Sequence, residues 1–437
     1  MKFIEFPEMS FRVENMEDIK LPKMVKIRQK YPNDKIEDIK SFLIAELDKL
    51  GNKSDLKGKR IAITAGSRGI PDLDIIIRTV CDKLKEWGAE PFIIPAMGSH
   101  GGGTVEGQLE VINGYGITEE AMGVPILATM DVELVGKMPD GTLIYCDKYA
   151  YEADGIVLLN KVKPHTDFKG EHESGLLKMI AIGIAKHKGA SWFHMQGFDT
   201  FAERIPIVAK EFLAKMNVVF GIGLVQNAYD EISELEVIEK DKIVERDHEL
   251  LQVAKKRLAK LKFDNIDVLV VDKIGKNISG EGEDPNVTGR SFMPGFEDEF
   301  HTQKLFIRGL TEESHHNACG LGMADITTRR CLNTVDWEST WINLGTNTMI
   351  DGGKIPVYLN NDKEALTLAI RTCRKIDYNT ARVARIPDTL HLDEIEISES
   401  LVPDVLGRDD VEIISEPYDF PFDEEGFMID WFEEKKQ

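Results

Sequence analysis

The apolar positions of this chain fall into short runs separated by small-residue turns and amphipathic stretches. That alternation of strand and helix predicts an α/β protein with parallel or mixed sheets flanked by helices. Runs at 60–64, 91–95, 155–159 and 218–225 are apolar at nearly every position and read as strands covered on both faces. Helical spacing marks 105–113 and 201–215, short strands are expected at 125–129 and 142–145, and 228–244 alternates as a hairpin does. A helix over 245–262 closes a first domain, 1–262, which opens with two helices, 21–29 and 36–50, in a packing role. The second domain, 263–437, carries strands at 266–271, 304–308, 354–359, 381–386 and 394–397, with helices at 328–341 and 363–375. It is expected to close over a site in the cleft between the two, and the acidic, aromatic tail 415–437 to pack against the first domain.

One stretch does not fit a purely structural reading. Residues 160–194, NKVKPHTDFKGEHESGLLKMIAIGIAKHKGASWFH, hold His165, His172, His187 and His194, four of the ten histidines of the chain. Six lysines there oppose only Asp167, Glu171 and Glu173, whereas the whole chain has 54 basic and 76 acidic residues and a net charge of -22. A basic island in an acidic protein points to a small anionic ligand and away from nucleic acid or an anionic membrane; a solvated helix face is the plain alternative. Lys163-Pro164 keeps the backbone extended before His165. Ser174 is the expected N-cap of a helix that runs through Leu177, Ile180, Ala181 and Ile184 and ends at Lys186 to Lys188, with Gly189 beyond it. Lys178 then falls in the first turn, where the helix dipole favours the neutral amine and attracts an anion.

Two earlier loops add candidates. The 60–64 strand leads into Ala65-Gly66-Ser67-Arg68-Gly69 and then a helix entered through Pro71 and Asp72, an arrangement that presents backbone N–H groups to a phosphate. Arg68 adds a guanidinium able to pair with phosphate through two hydrogen bonds. The 91–95 strand leads into Ala96-Met97-Gly98-Ser99-His100 and three further glycines, so His100 sits at a strand's carboxyl end with room for a substrate beside it. In the second domain, Lys276, Asn277 and Ser279 follow a strand and suit a carboxylate or hydroxyl. Glu281, Glu283 and Asp284 lack the spacing of a calcium loop. The pair His315 and His316 with Asp325 reads as a surface helix before a metal site.

Five scattered cysteines without a CxxC pair argue against a disulfide framework or a zinc ribbon. Residues 1–9 show no signal-peptide pattern, and no apolar run approaches the roughly 18 residues of a membrane span, so a cytoplasmic protein is expected.

Taken together, Ala96-Met97-Gly98-Ser99-His100, Lys163-Pro164-His165, Ser174-Gly175-Leu176-Leu177-Lys178 and His194 resemble the nickel-dependent lactate racemase (LarA) family, as a homologue outside the lactate racemases proper. The resemblance implies a nickel pincer nucleotide, a nickel(II) pyridinium-3,5-bisthiocarboxylic acid mononucleotide. It implies His100 and His165 as acid/bases, Lys178 as the covalent anchor, and His194 as the nickel ligand. Ser67, Arg68, Gly69 and Ser174 are the implied cofactor contacts, and Lys276, Asn277 and Ser279 the substrate contacts. The family pattern has a shorter gap between Pro-His and the lysine, and a second glycine where this chain has Leu176. His172, inside the longer gap, competes with His165 for its role. Proteins that build the pincer nucleotide are the implied partners, and a hydroxyacid the implied substrate.

Two histidines that titrate near neutrality suit inversion of a carbinol centre, which needs a base for each hand of the substrate. The expected function is therefore a 2-hydroxyacid racemase or epimerase. A nicotinamide-dependent dehydrogenase shares the strand, glycine turn and helix units, but no GxGxxG with a following acidic residue is present. A non-catalytic carrier of the nickel nucleotide is the third reading.

Overall fold

The structure is a computed structural model that describes residues 1–9, 11–51, 53–67, 69–293, 296 and 300–429. The chain forms two compact units, one of Pro32–Leu258 and one that joins Met1–Tyr31 to Ala259–Gln437. Both are α/β. The division falls four residues before the expected 262/263, and the first 31 residues belong with the second unit.

The reason lies in β1 (Met24–Gln29), where a helix was expected over 21–29. Met24, Val25, Ile27 and Gln29 are buried. The strand runs antiparallel between two strands from the other end of the chain, with Ile27 opposite Ile395 on one side and Ile413 on the other. Partners some 370 residues away decide its conformation, and local spacing does not record them.

The Pro32–Leu258 unit is built on a five-stranded sheet of β2 (Arg60–Ala65), β3 (Glu90–Pro95), β6 (Gly155–Lys161), β7 (Val218–Gln226) and β8 (Ile232–Glu239), in the order β3-β2-β6-β7-β8. A separate antiparallel hairpin, β4 (Val132–Lys137) and β5 (Leu143–Asp147), supplies the other strands. The first four sheet strands are parallel and β8 closes the edge antiparallel to β7. Their apolar runs are buried on both faces, as a parallel sheet under helices requires. Helices α1 (Ile39–Asp48) and α2 (Leu73–Glu86) contribute Leu43, Leu47, Ile76, Ile77 and Val80 to the core over this sheet. The segment expected as a strand at 125–129 makes a single bridge, Ile126 with Ile93.

Parallel register controls the location of chemistry here. Ala65 pairs with Pro95, and Ile63 with Val157, so β2, β3 and β6 all end on one edge of the sheet. The loops beginning at Gly66, Ala96 and Val162 therefore leave from the same side, the side on which open α/β sheets bind ligands.

The other unit holds an eight-stranded mixed sheet, ordered β12-β11-β10-β9-β13-β14-β1-β15. Its strands are β9 (Ile266–Val271), β10 (Thr302–Ile307), β11 (Ile326–Thr328), β12 (Val357–Leu359), β13 (Val383–Ile386), β14 (Glu394–Ser398) and β15 (Val411–Ile413). Beneath the strand ends lies a buried ionic network. Arg385 meets Asp272 at 2.8 Å and Glu396 at 3.1 Å, and Arg308 meets Asp272 at 2.6 Å and Asp362 at 2.8 Å. Burial alone would raise the Asp272 carboxyl, but Arg385 and Arg308 outweigh it and hold it below the usual range. The tail was expected on the first domain. Its described part pairs within this unit: Met24 bridges Tyr418, and Arg308 donates to the Met428 carbonyl oxygen at 2.8 Å.

Candidate active site

The sequence after β3 cannot adopt an ordinary turn. Gly98 and Gly101 to Gly103 all have positive φ. A Cβ on Gly101 would lie 2.5 Å from the Gly107 carbonyl carbon, so loop and following helix, α3 (Val105–Gly114), touch through bare backbone. Gln108 of α3 donates from Nε2 to the Gly98 carbonyl oxygen at 2.9 Å and to that of His100 at 3.3 Å. The His100 side chain then meets Ser67 from the neighbouring loop, with Oγ 2.5 Å from Nδ1. Ser67 is fixed in turn by Tyr115, whose phenol donates to its carbonyl oxygen at 2.7 Å.

After β6, Asn160 donates from Nδ2 to the Gly175 carbonyl oxygen at 2.7 Å, and Lys163 pairs with Ser174 through backbone. Ser174 is thus a bridge residue and not the expected N-cap. The helix begins one residue later as α4 (Leu176–Lys178), capped from a distance by Asp247 of α7 (Ile243–Arg257), whose Oδ1 accepts the Leu176 N–H at 2.6 Å. Lys178 lies in its first turn, as its position after Gly175 suggested.

The helix then departs from the expected form. Met179–Gly183 is a π turn, of the kind often found at functional sites, and Lys186 has φ 55. A new helix, α5 (Lys186–His194), starts there and contains Gly189, which the sequence reading had placed beyond a C-terminus. Lys186 is wholly buried, 3.1 Å from Asp147 Oδ2 and 3.2 Å from Gln108 Oε1, and it also donates to the Pro95 carbonyl oxygen. It is therefore structural and leaves the basic island. Burial pushes its ammonium down and the Asp147 carboxyl up, while their mutual attraction works the other way.

The outcome is a pocket lined by Gly66, Ser67, Ala96, Met97, His100, Asn160, Lys161, Lys163, Ser174, Lys178, Met179, Ile182 and Gly183. Three of the lysines picked out by charge face this pocket with both candidate serines. His165 is not part of the lining but touches it through Lys178, its Nε2 hydrogen-bonded to the lysine Nζ. Its backbone N–H is held by Glu173 Oε2 at 2.7 Å, and Nδ1 accepts the Asp167 N–H at 3.0 Å.

His194 stands in the same neighbourhood, stacked on Phe201 with centroids 5.6 Å apart and against Phe198, which also packs on His165. Burial first, then the charges of Lys178 and His187, lowers its imidazole to about 4. His194 is thus a neutral imidazole at physiological pH. His172 has its Nδ1 3.1 Å from Asp247 Oδ2, and neither it nor His165 is part of the pocket lining.

Of the remaining candidates, Arg68 lies outside the described residues, and Gly69 is not part of the lining. Lys276, Asn277 and Ser279 belong to the other unit. There Lys276 donates to Asn343 Oδ1 at 2.6 Å, Asn277 Oδ1 accepts from Thr311 at 2.6 Å, and Ser279 is buried. His315 and His316 occupy a left-handed turn after a short 3-10 helix, in place of a surface helix. Among the described residues no group of three or more His, Cys, Asp or Glu side chains is arranged to hold a metal ion, and all five cysteines are buried. Sequence reasoning missed Asn160, Met97, Met179 and Ile182. Asn160 was discoverable, as a polar residue that ends an apolar strand on the ligand side of the sheet.

A family profile described as a domain of unknown function (DUF362) matches residues 74–235, a span that includes His100, His165, Lys178 and His194. No curated protein matches the chain. Among solved structures, it is similar to that of the lactate racemase apoprotein from Thermoanaerobacterium thermosaccharolyticum, with a TM-score of 0.48 and 16% identity over 89% of this chain and 99% of that one.

Proposed function

We propose that this chain is a 2-hydroxyacid racemase or epimerase that works with a nickel pincer nucleotide held in the pocket at the ends of β2, β3 and β6. The observation that carries the reading is the meeting of Lys178 with the Ser67 and Ser174 hydroxyls and the Lys161 and Lys163 ammoniums in one pocket, served by His100 and His165 from two different loops. The donor set suits such a group. Lys178 offers an amine for a covalent link. The serines and lysines offer donors to a phosphate. His194 offers the neutral imidazole that metal ligation requires. When bound, the nucleotide would supply an acceptor for the hydrogen that leaves the substrate carbon as hydride.

The chain's own residues do the rest. His100 and His165 remove the hydroxyl proton and return it, one for each hand of the substrate. Ser67 orients the His100 ring through Nδ1, and the Asp167 N–H does the same for His165. Met97, Met179 and Ile182 give the pocket an apolar wall that keeps water from the reacting carbon.

The test is inversion of single enantiomers of 2-hydroxyacids by the nucleotide-loaded protein. His100→Asn and His165→Asn should each abolish it, and full activity in both variants rejects the assignment. Net oxidation with free NAD would point to a dehydrogenase, and tight nucleotide binding without turnover to a carrier.

A further inference from the structure

The proposed site stands on a segment, His165 to Lys178, with little regular structure of its own, and one helix holds most of it. From α7, Asp247 Oδ1 accepts the Leu176 N–H at 2.6 Å, and Asp247 Oδ2 lies 3.1 Å from His172 Nδ1. One residue on, His248 Nδ1 lies 2.7 Å from the Glu171 carbonyl oxygen. Two turns further, Lys255 Nζ lies 2.7 Å from Glu173 Oε1, whose other oxygen accepts the His165 backbone N–H. Asp247 and Lys255 are eight residues apart and so share a helix face. They support the two reactive partners separately, Lys178 through the first of these chains and His165 through the second.

Asp247 is 1% exposed. No side chain of α4 or of the residue before it caps the helix, so the Asp247 carboxylate does so from another element. Gly175 is shaped to it: the backbone there is extended, and a Cβ would collide with Asp247 Oδ1. The π turn that follows gives the first turn no continuous α-helical ladder to lean on.

We propose that Asp247 is a positioning residue for Lys178, presenting the amine to the pocket by clamping the turn that carries it, with Gly175 as its obligate steric partner. This deepens the reading of Lys178 as the anchoring amine and rests on it.

The experiment needs neither the nickel nucleotide nor a hydroxyacid. Pyridoxal phosphate, an anionic aldehyde, is added to the full-length protein. The Lys178 amine adds to the aldehyde carbon, water leaves, and borohydride delivers hydride to the resulting C=N bond to fix the adduct, which peptide mass spectrometry counts. Asp247→Ala should leave the half-saturating aldehyde concentration within about threefold, because Ser67, Lys161 and Lys163 remain, and should lower the limiting rate at Lys178 about tenfold through its misplacement. Asp247→Asn keeps an oxygen for the Leu176 N–H and should label within about threefold of wild type. Gly175→Ala, which displaces the carboxylate, should behave as Asp247→Ala does, and it supplies the test should Asp247→Ala fail to fold. A wild-type limiting rate in folded Asp247→Ala or Gly175→Ala overturns the positioning role, as does an Asp247→Asn protein as slow as Asp247→Ala. Absence of any Lys178 adduct in the wild type overturns the reading of Lys178 as a presented amine, and the proposal with it.

Discussion

Replacing Lys186 by methionine tests how the path to His194 is built. The residue adopts a left-handed conformation, φ 55, that ends the π turn and starts α5, and it does so with its ammonium wholly buried against Asp147, Gln108 and the Pro95 carbonyl oxygen. Methionine keeps the volume and removes the charge. Asp147 then remains as a buried carboxylate whose Oδ1 accepts the Ala150 N–H at 3.1 Å and whose Oδ2 has lost its cation. Breaking a buried pair in this way costs about 3–5 kcal/mol. In a unit of about 230 residues that corresponds to a fall in Tm of about 6–20 °C. Adding Asp147→Asn removes the stranded charge and leaves the Ala150 cap an oxygen, so the double variant should recover most of the loss, giving a coupling of about 2 kcal/mol or more. pH offers an independent check. Burial raises the Asp147 carboxyl in the folded chain, so the folded state binds the proton more readily and stability is lost as pH rises through the folded value. Lys186→Met should therefore be less destabilised at pH 5 than at pH 8. Thermal melts of the wild type, Lys186→Met, Asp147→Asn and the double variant at both pH values suffice. A single variant that loses under about 1 kcal/mol, or a double variant as unstable as the single, refutes the reasoning.

Other consequences follow from the same geometry. His194 has a folded value of about 4 against 6.5 ordinarily, so its neutral form stabilises the fold above pH 6.5, and that contribution is lost as pH falls toward 4. His194→Phe, which keeps the stack on Phe201, should flatten the acid limb of a pH–stability curve by about 2–3 kcal/mol; an unchanged limb contradicts the assignment. Ser67→Ala removes one hydrogen bond from His100, worth about 0.5–1.5 kcal/mol, so turnover by the loaded protein should fall roughly 2- to 12-fold with little change in Tm. Gly101→Ala forces a Cβ against the α3 backbone and should lower both Tm and turnover; wild-type values for both would mean the loop can move without consequence.

Much of the site could be read from the sequence because its parts are local. Apolar runs covered on both faces identified β2, β3 and β6, and the register of a parallel sheet brings their trailing loops together without further information. Ser67 and His100 follow from that rule, while Ser174 and Lys178, further along the loop after β6, come from the expected helix start. What escaped depends on distant partners. The 21–29 segment has the spacing of a short helix and becomes a strand because β14 and β15 flank it. Gly189 carries every mark of a helix end, but the break comes at Lys186, where a buried carboxylate from β5 stabilises a conformation that a lysine seldom adopts. Ser174 yields the capping role to Asp247, 73 residues on, because Gly175 admits that carboxylate. His172, inside the same longer gap as a competitor of His165, meets the same aspartate.

The central claim is that this pocket takes a nickel-bearing mononucleotide. Native mass spectra of the protein produced with pincer-nucleotide biosynthesis active, repeated after denaturation, test it most directly. The account predicts an added mass that contains nickel and survives denaturation on the peptide carrying Lys178. It also predicts that Lys178→Ala leaves at most a noncovalent complex and that His194→Ala loses nickel. Protein that gains no nickel nucleotide under these conditions would contradict the claim.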